Sequence, residues 1–213
     1  MPHDPDPEDP SHSKSLVVVI DDDALLREAL VDLFLSVGTD VASYDSAAAF
    51  LNDGIHDRPC CLVLDVRMPE QSGLELQARL KAEDRQPPIV FITAHADVRM
   101  SVRAMKQGAV NFLPKPFREQ DLLDAVWEAI RYDRERWIQR RHLADLRRLA
   151  QDLTPREVEV LKAMGRGLLN KQIAHELGIA EITVKMHRSS AFRKLGASTS
   201  SDFIQKVSML ELG

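Results

Sequence analysis

Six polar side chains stand at the ends of apolar runs, and their types suit one kind of chemistry. Asp21, Asp22 and Asp23 follow the run 16–20, Asp65 follows 60–64, Thr93 closes 89–93, and Lys115 lies just past 109–113. Three carboxylates brought within a few ångströms cannot all stay ionised without compensation. An all-oxygen acidic site suits a hard cation, and two or so carboxylates with several waters suit Mg²⁺. Lys115 adds a positive point charge and Thr93 a hydroxyl donor. Mg²⁺, a lysine and a threonine around one central carboxylate fit phosphoryl transfer onto that carboxylate, and Asp65, the central one, is the expected nucleophile. A plainer role, capping the next helix, is expected of Asp23. Capping does not account for Asp21, Asp22, Asp65 and Lys115 together.

Such residues converge only if the chain places them on one rim. The run 16–20 is apolar and β-branched, as in a strand buried on both faces. Residues 24–37 carry Leu26, Leu30, Leu33, Phe34 and Val37 at helical spacing, and Gly38 ends them. A second strand is expected at 41–44, with Ser46 capping a helix to about residue 52. A third strand is expected at 60–64, a helix at 72–82 and a fourth strand at 89–93. Asp97 caps a helix to about residue 107, a fifth strand covers 109–113, and a helix starts near Glu119. Strands alternating with helices imply parallel βαβ units and an α/β doubly wound five-stranded sheet. In an open parallel sheet, sites lie at the carboxyl ends of the strands, at the switch point that the first and third strands flank in the order 2-1-3-4-5.

From Pro116 to Pro155 the interior holds no Gly and no Pro, and Leu123, Ile130 and Trp137 recur every seven residues. The fifth helix is therefore expected to run on as a long helical linker, ~30 residues spanning about 45 Å. A shorter helix with a charged linker is the alternative. Thr154-Pro155-Arg156-Glu157 combines an N-cap, a proline at the first helical position and a capping-box acid. Three further helices are expected, 170–177 capped by Asn170, 181–195 and 200–210, with a tight glycine turn at Gly178 that makes a helix-turn-helix. Residues 1–15 hold four prolines and no large apolar side chain after Met1, and are expected to be a disordered tail. The expected divisions are 1–15 tail, 16–122 α/β domain, 123–150 helical linker and 151–213 helix-turn-helix domain.

The motifs VVVIDDD (17–23), LVLDVRMPEQSGLEL (62–76), VFITAHADV (90–98) and NFLPKPF (111–117) closely resemble the receiver domain of two-component response regulators, of the FixJ type. The resemblance implies that Asp65 accepts a phosphoryl group from a sensor histidine kinase. It implies that Asp21, Asp22, Asp65 and the main-chain carbonyl of Arg67 hold Mg²⁺, and that Thr93 and Lys115 contact phosphoryl oxygens. It makes Phe112 the aromatic switch residue, for which plain core packing is the alternative, and places His95 in the loop after the fourth strand. In this family the face over 94–116 and the following helix mediates dimerisation. Here it includes Arg99, Arg103, Lys106, Glu119 and Asp124, mixed charges that suit a two-fold contact.

The segment 153–196, LTPREVEVLKAMGRGLLNKQIAHELGIAEITVKMHRSSAFRKLG, resembles the LuxR-type helix-turn-helix. On the helix 181–195, Val184, His187, Ala191 and Leu195 share one face. Lys185, Met186 and Ser189 lie opposite, and no acid occurs from Ile182 to the helix end. That pattern suits a major-groove helix with phosphate contacts around it, from Arg188, Arg193 and Lys194. Family correspondence puts Lys185, Met186 and Ser189 at base edges and Asn170 and Lys171 at the backbone. Ala180 departs from the family, which has Ser or Thr as the recognition-helix cap. Losing the cap costs about 1 kcal/mol, unless Thr183, counted among the DNA-facing residues, caps a later start.

The charge distribution agrees. Residues 1–133 hold 13 Lys+Arg against 24 Asp+Glu, a net −11, whereas residues 134–213 hold 15 against 9, a net +6. The whole-chain −5 hides a basic segment suited to nucleic acid. No apolar run approaches the ~18 residues of a membrane span, so no membrane partner is expected. The acidic, Pro-rich start is wrong for a targeting peptide, so the expected location is the cytoplasm. Cys60 and Cys61 are neighbours and cannot form an ordinary disulfide; two small buried hydrophobes are expected. His3 and His12 are read as part of a solvated tail. Gly165-Arg166-Gly167 follows a helix and lacks a third glycine, so it is no nucleotide fingerprint.

The resulting expectation is a regulator that is phosphorylated on Asp65, forms a homodimer and binds double-stranded promoter DNA to activate transcription, with RNA polymerase as a further candidate partner. Enzyme activity is limited to self-catalysed phosphotransfer and dephosphorylation at Asp65. An orphan regulator is disfavoured by the complete acidic pocket. A Mg²⁺-dependent phosphohydrolase is disfavoured by the lack of a further acid/base residue and by the DNA-binding segment.

Overall fold

The structure, a computed structural model, describes residues 14–54, 57–82, 87–94 and 97–210. His3, His12, most of the 1–15 segment and His95 lie outside the described residues. Two compact units are present, residues 1–138 and 139–213.

In the first unit, β1 (Leu16–Ile20), β2 (Asp40–Tyr44), β3 (Cys60–Asp65), β4 (Ile89–Thr93) and β5 (Asn111–Pro114) form one parallel sheet in the order β2-β1-β3-β4-β5. Helices α1 (Ala24–Ser36), α2 (Ala47–Asp53), α3 (Gly73–Ala82), α4 (Val98–Lys106) and α5 (Glu119–Ala150) alternate with the strands. Every residue of β1, β3 and β4 is buried, which is why these strands read as unbroken apolar runs. Alternate residues feed two core layers. Val18, Ile20, Leu62, Leu64 and Phe91 pack with Phe50, Leu76, Leu80 and Ala104. Val17, Val19, Val63, Val90 and Ile92 pack with Leu30 and Phe34 of α1 and Leu122, Val126 and Ala129 of α5. Register aligns Ile20 with Leu64, so Asp21 and Asp65 come next on adjacent strands; Asp65 in turn aligns with Ile92, one residue before Thr93.

The expected 2-1-3-4-5 order and the long fifth helix are both found. β5 starts two residues later than expected, because Ala109 donates its N–H back to the carbonyl of Ala104 and so closes α4 instead. Asp23 and Asp97 cap α1 and α4 through their carboxylates, and the Ser46 hydroxyl caps α2. Cys60 and Cys61 are buried and free.

The second unit holds α6 (Pro155–Gly165), α7 (Asn170–Leu177), α8 (Glu181–Lys194) and α9 (Ser200–Met209). Its core has two clusters. Leu146 of α5 meets Leu161, Ala191, Leu195, Phe203 and Val207, while Val160, Ala163, Ile173 and Val184 form the other. Thr154 and Glu157 form the expected capping box of α6. Gly178 adopts φ 63°, the left-handed conformation that closes α7 ahead of α8. Two expected caps are corrected. Leu169, not Asn170, is the N-cap of α7, since Asn170 is already helical and its Oδ1 accepts from Arg188. Thr183 caps no later start, because α8 begins at Glu181 behind Ala180, which gives no side-chain cap bond.

Candidate functional site

Lys115 Nζ lies 2.7 Å from Asp21 Oδ2 and 2.9 Å from Asp65 Oδ1, linking residues 94 and 50 positions apart in sequence. Both carboxylates are buried, Asp21 at 1% exposure and Asp65 at 5%. The backbone aims them. Arg67 N–H donates to Asp65 Oδ2 at 2.7 Å, Asp23 N–H donates to Asp21 Oδ1 at 2.9 Å, and Arg27 Nη1 donates to the Asp21 carbonyl at 2.7 Å. Lys115 N–H donates to the Thr93 carbonyl at 2.7 Å, which ties the lysine loop to the end of β4. Thr93 is buried, Asp22 is exposed, and Arg67 is exposed. Phe112 is half-buried, its ring 6.2 Å from that of Phe91.

One ammonium between two carboxylates explains opposite electrostatics. Burial raises the pKa of Asp65, and Asp21 adds to this; the bonds from Lys115 and Arg67 oppose it without cancelling it. For Lys115, burial alone would lower the pKa, but the hydrogen bonds to Asp21 and Asp65 outweigh burial and hold it above the ordinary lysine range. The lysine has two counter-charges and each carboxylate half of one, so the pocket is short of positive charge. Among the described residues no three His, Cys, Asp or Glu side chains close on one point. A hexahydrate-derived cation needs only one or two carboxylates and otherwise water. Asp21 and Asp65, two buried carboxylates sharing one ammonium, fit Mg²⁺ by donor type and by charge.

Gly73 was not singled out from the sequence. A Cβ on it would meet the Asp65 carbonyl oxygen at 2.3 Å, Leu64 Cγ at 3.0 Å and Phe91 Cε1 at 3.1 Å. Gly73 N–H donates to the Val66 carbonyl at 3.0 Å. Glycine thus lets α3 begin against the backbone that carries Asp65. A glycine opening a helix without serving as its cap was the available signal.

On α8, Lys185, Met186, Ser189 and Arg193 are exposed, and Thr183, His187 and Arg188 are half-buried. Lys185 lies 3.6 Å from Glu181, a loose surface pair. Lys171 on α7 is exposed. Lys194 differs from the others, because its ammonium donates to Glu157 Oε2 at 2.8 Å. Glu157 is 3% exposed and also accepts from Thr154 N–H at 2.7 Å. Lys194 is therefore neutralised inside the unit and fixes the end of α8 against the start of α6, in place of the free phosphate contact expected from the sequence. Nothing local in the sequence joins residues 37 positions apart, so this pairing was illegible there.

Burial by itself would raise the Glu157 pKa, but hydrogen bonds from Lys194, Ser190 and Thr154 outweigh it and hold the acid at about 2. A depressed acid contributes stability above its unfolded pKa of roughly 4.3, and this is lost as pH falls through about 2. Glu157→Gln is expected to destabilise the second unit by about 1–2 kcal/mol at pH 7. The gap from wild type should narrow below about pH 4 in acid unfolding followed by circular dichroism.

The receiver-domain pattern of response regulators matches residues 17–127, and that of bacterial regulatory proteins of the luxR family matches residues 151–207. Nodulation protein W of Bradyrhizobium diazoefficiens is 48% identical over 193 residues, covering 91% of this chain and 85% of that protein. The transcriptional regulatory protein FixJ of the same species is 37% identical over 193 residues, 91% of this chain and 94% of that protein. The solved structure of the response regulator StyR superposes with a TM-score of 0.80 at 48% identity, covering 92% of this chain and 98% of that one. Among the described residues no helix is long and apolar enough to cross a membrane. Pocket, fold order and both matches agree: the chain belongs to the response regulators, with a receiver domain followed by a luxR-type DNA-binding domain.

Proposed function

We propose that Asp65 is the phosphoacceptor of a two-component transcription regulator, with residues 16–122 as receiver, 123–150 as linker and 151–213 as DNA-binding domain. The observation that carries this is the Lys115 ammonium bridging Asp21 and Asp65 at the switch point between β1 and β3. A carboxylate oxygen of Asp65 forms the new bond to phosphorus as the P–N bond of a kinase phosphohistidine breaks. The imidazole leaves and takes up a proton, and Asp65 becomes an acyl phosphate. Asp21, Asp22, Asp65 and the Arg67 carbonyl would hold Mg²⁺, which when bound would supply positive charge to the phosphoryl oxygens. Lys115 and Thr93 turn to the same oxygens. Phosphorylation brings about −1.5 to −2 charges into a pocket already short of positive charge. The pull on Lys115 and Thr93 draws on β5 and on Phe112, and the 94–116 face then pairs two chains.

The dimer presents two α8 helices to adjacent half-sites of double-stranded promoter DNA, for cytoplasmic transcription control through RNA polymerase. Lys185, Met186 and Ser189 face base edges. Thr183, Arg188, Arg193, Asn170 and Lys171 lie along the phosphates, and Lys194 supports them through Glu157. Acetyl phosphate with Mg²⁺ should shift the chain toward dimer and tighten its binding to its operator. Lys185→Ala should cost about 1–3 kcal/mol of that affinity. Equal operator affinity with and without phosphodonor, measured by fluorescence anisotropy across salt, would defeat the proposal.

A further inference from the structure

The first unit contains a cavity of about 160 Å³ at the opposite end of β4 from Thr93. Its walls come from four elements. Leu80 of α3, Ile89 of β4 and Val110 before β5 make it apolar; Gln77 and Gln107 add amides; Tyr132 and Arg136 of α5 complete it. The volume is close to that of an engineered cavity of about 150 Å³ that binds benzene.

Its polar groups are incomplete in a specific way. Gln77 is 4% exposed and gives its Nε2–H to the Ala104 carbonyl of α4 at 3.2 Å, but its Oε1 accepts from no group among the described residues. Gln107 Oε1 is likewise buried without a donor. Buried acceptors normally find a partner, and an unmet one is costly. The last torsion of glutamine is soft, so the Gln107 oxygen can swing to face the cavity. Arg136 is half-buried; its guanidinium lies 5.5 Å from the Tyr132 ring centroid and, among the described residues, forms no ion pair. The wall prolines, Pro87 and Pro88, have no N–H to offer. The cavity thus presents one cationic fork, two acceptors in need of a donor, and an apolar body between them.

We propose that this cavity is a binding site for a small monocarboxylic acid that carries a hydroxyl donor. The carboxylate pairs with the Arg136 guanidinium, the natural bidentate partner of such a group. The ligand's hydroxyl donates to Gln107 Oε1, and its carbon frame lies on Leu80, Ile89 and Val110. Because Gln77 already ties α3 to α4, and Gln107 closes α4, occupancy braces the helix that follows β4. The site is separate from the Asp65 pocket and does not depend on phosphorylation.

The test titrates the full chain with 4-hydroxybenzoate, benzoate and phenol, followed by calorimetry and by amide NMR shifts at Gln77, Gln107 and Gly108. The expected result is saturable binding at one site per chain, with 4-hydroxybenzoate the tightest of the three. Arg136→Gln should weaken both acids at least ten-fold while leaving phenol unchanged. Gln107→Leu, which removes an unmet acceptor and should fold well, should erase the preference for 4-hydroxybenzoate over benzoate. Asp65→Asn should bind like wild type. No saturable binding, or binding that Arg136→Gln leaves intact, overturns the proposal.

Discussion

Lys115→Ala should lower the stability of the receiver domain by about 2–3 kcal/mol at neutral pH, roughly 10 °C in its unfolding midpoint. The lysine side chain is 20% exposed while its partners are 1% and 7% exposed, so its loss leaves two buried carboxylates face to face. Removing one partner from a fully buried pair costs about 3–5 kcal/mol, and the partial exposure of Lys115 brings the expectation below that range. The pH dependence gives a second signature. In wild type the raised Lys115 pKa contributes stability that is complete below the unfolded value, roughly 10.4, and lost as pH rises through the higher folded value. The raised Asp65 pKa has the same sign, so ionisation of Asp65 opposes folding at pH 7. In Lys115→Ala the deficit should therefore be largest at neutral pH and shrink on acidification, as the carboxylates take up protons. Mg²⁺ should stabilise the variant more than it does wild type. A neutral variant, or one that Mg²⁺ does not help, would mean that the three side chains are not one electrostatic unit.

Gly73→Ala should damage the site without touching a charged group. The new Cβ would meet the Asp65 carbonyl oxygen at 2.3 Å, so one side must shift by at least about 0.7 Å to reach even a 3.0 Å contact. Neither side yields easily. β3 is bonded on both edges, to β1 and β4, and Gly73 itself is bonded to Val66. Overpacking of this kind costs about 1–3 kcal/mol. Misplacing a reacting group by about 1 Å can cost on the order of a hundred-fold in rate. Phosphorylation by acetyl phosphate should slow by more than ten-fold, beyond what the stability loss explains. Gly165→Ala, where a Cβ meets nothing within 4 Å, is the control and should leave phosphorylation unchanged.

How legible these features were in the sequence follows from how local their causes are. β1, β3 and β4 are buried on both faces, so their apolar runs announced them. Asp23, Ser46, Asp97 and Thr154 cap their own helices, and local chemistry located those starts. Ala109 looks like strand but closes α4 through its N–H to the Ala104 carbonyl, a turn choice that apolar content does not record. α7 and α8 begin behind Leu169 and Ala180, which offer no side-chain cap bond, so the cap rule misplaced Asn170 and left Thr183 as an alternative. The convergence of Asp21, Asp65 and Lys115 was readable because strand order fixes which ends meet. The Lys194–Glu157 pair and the approach of Gly73 to Asp65 depend on how helices pack, and only the folded chain displays them.

The central claim is that Asp65 carries the phosphoryl group. The most direct measurement is the intact mass of the full chain after incubation with acetyl phosphate and Mg²⁺, with and without hydroxylamine, for wild type and Asp65→Asn. Wild type should gain one phosphoryl group that hydroxylamine removes, and Asp65→Asn should gain none. Equal uptake by the variant, or a phosphoryl group mapped to another residue, would contradict it.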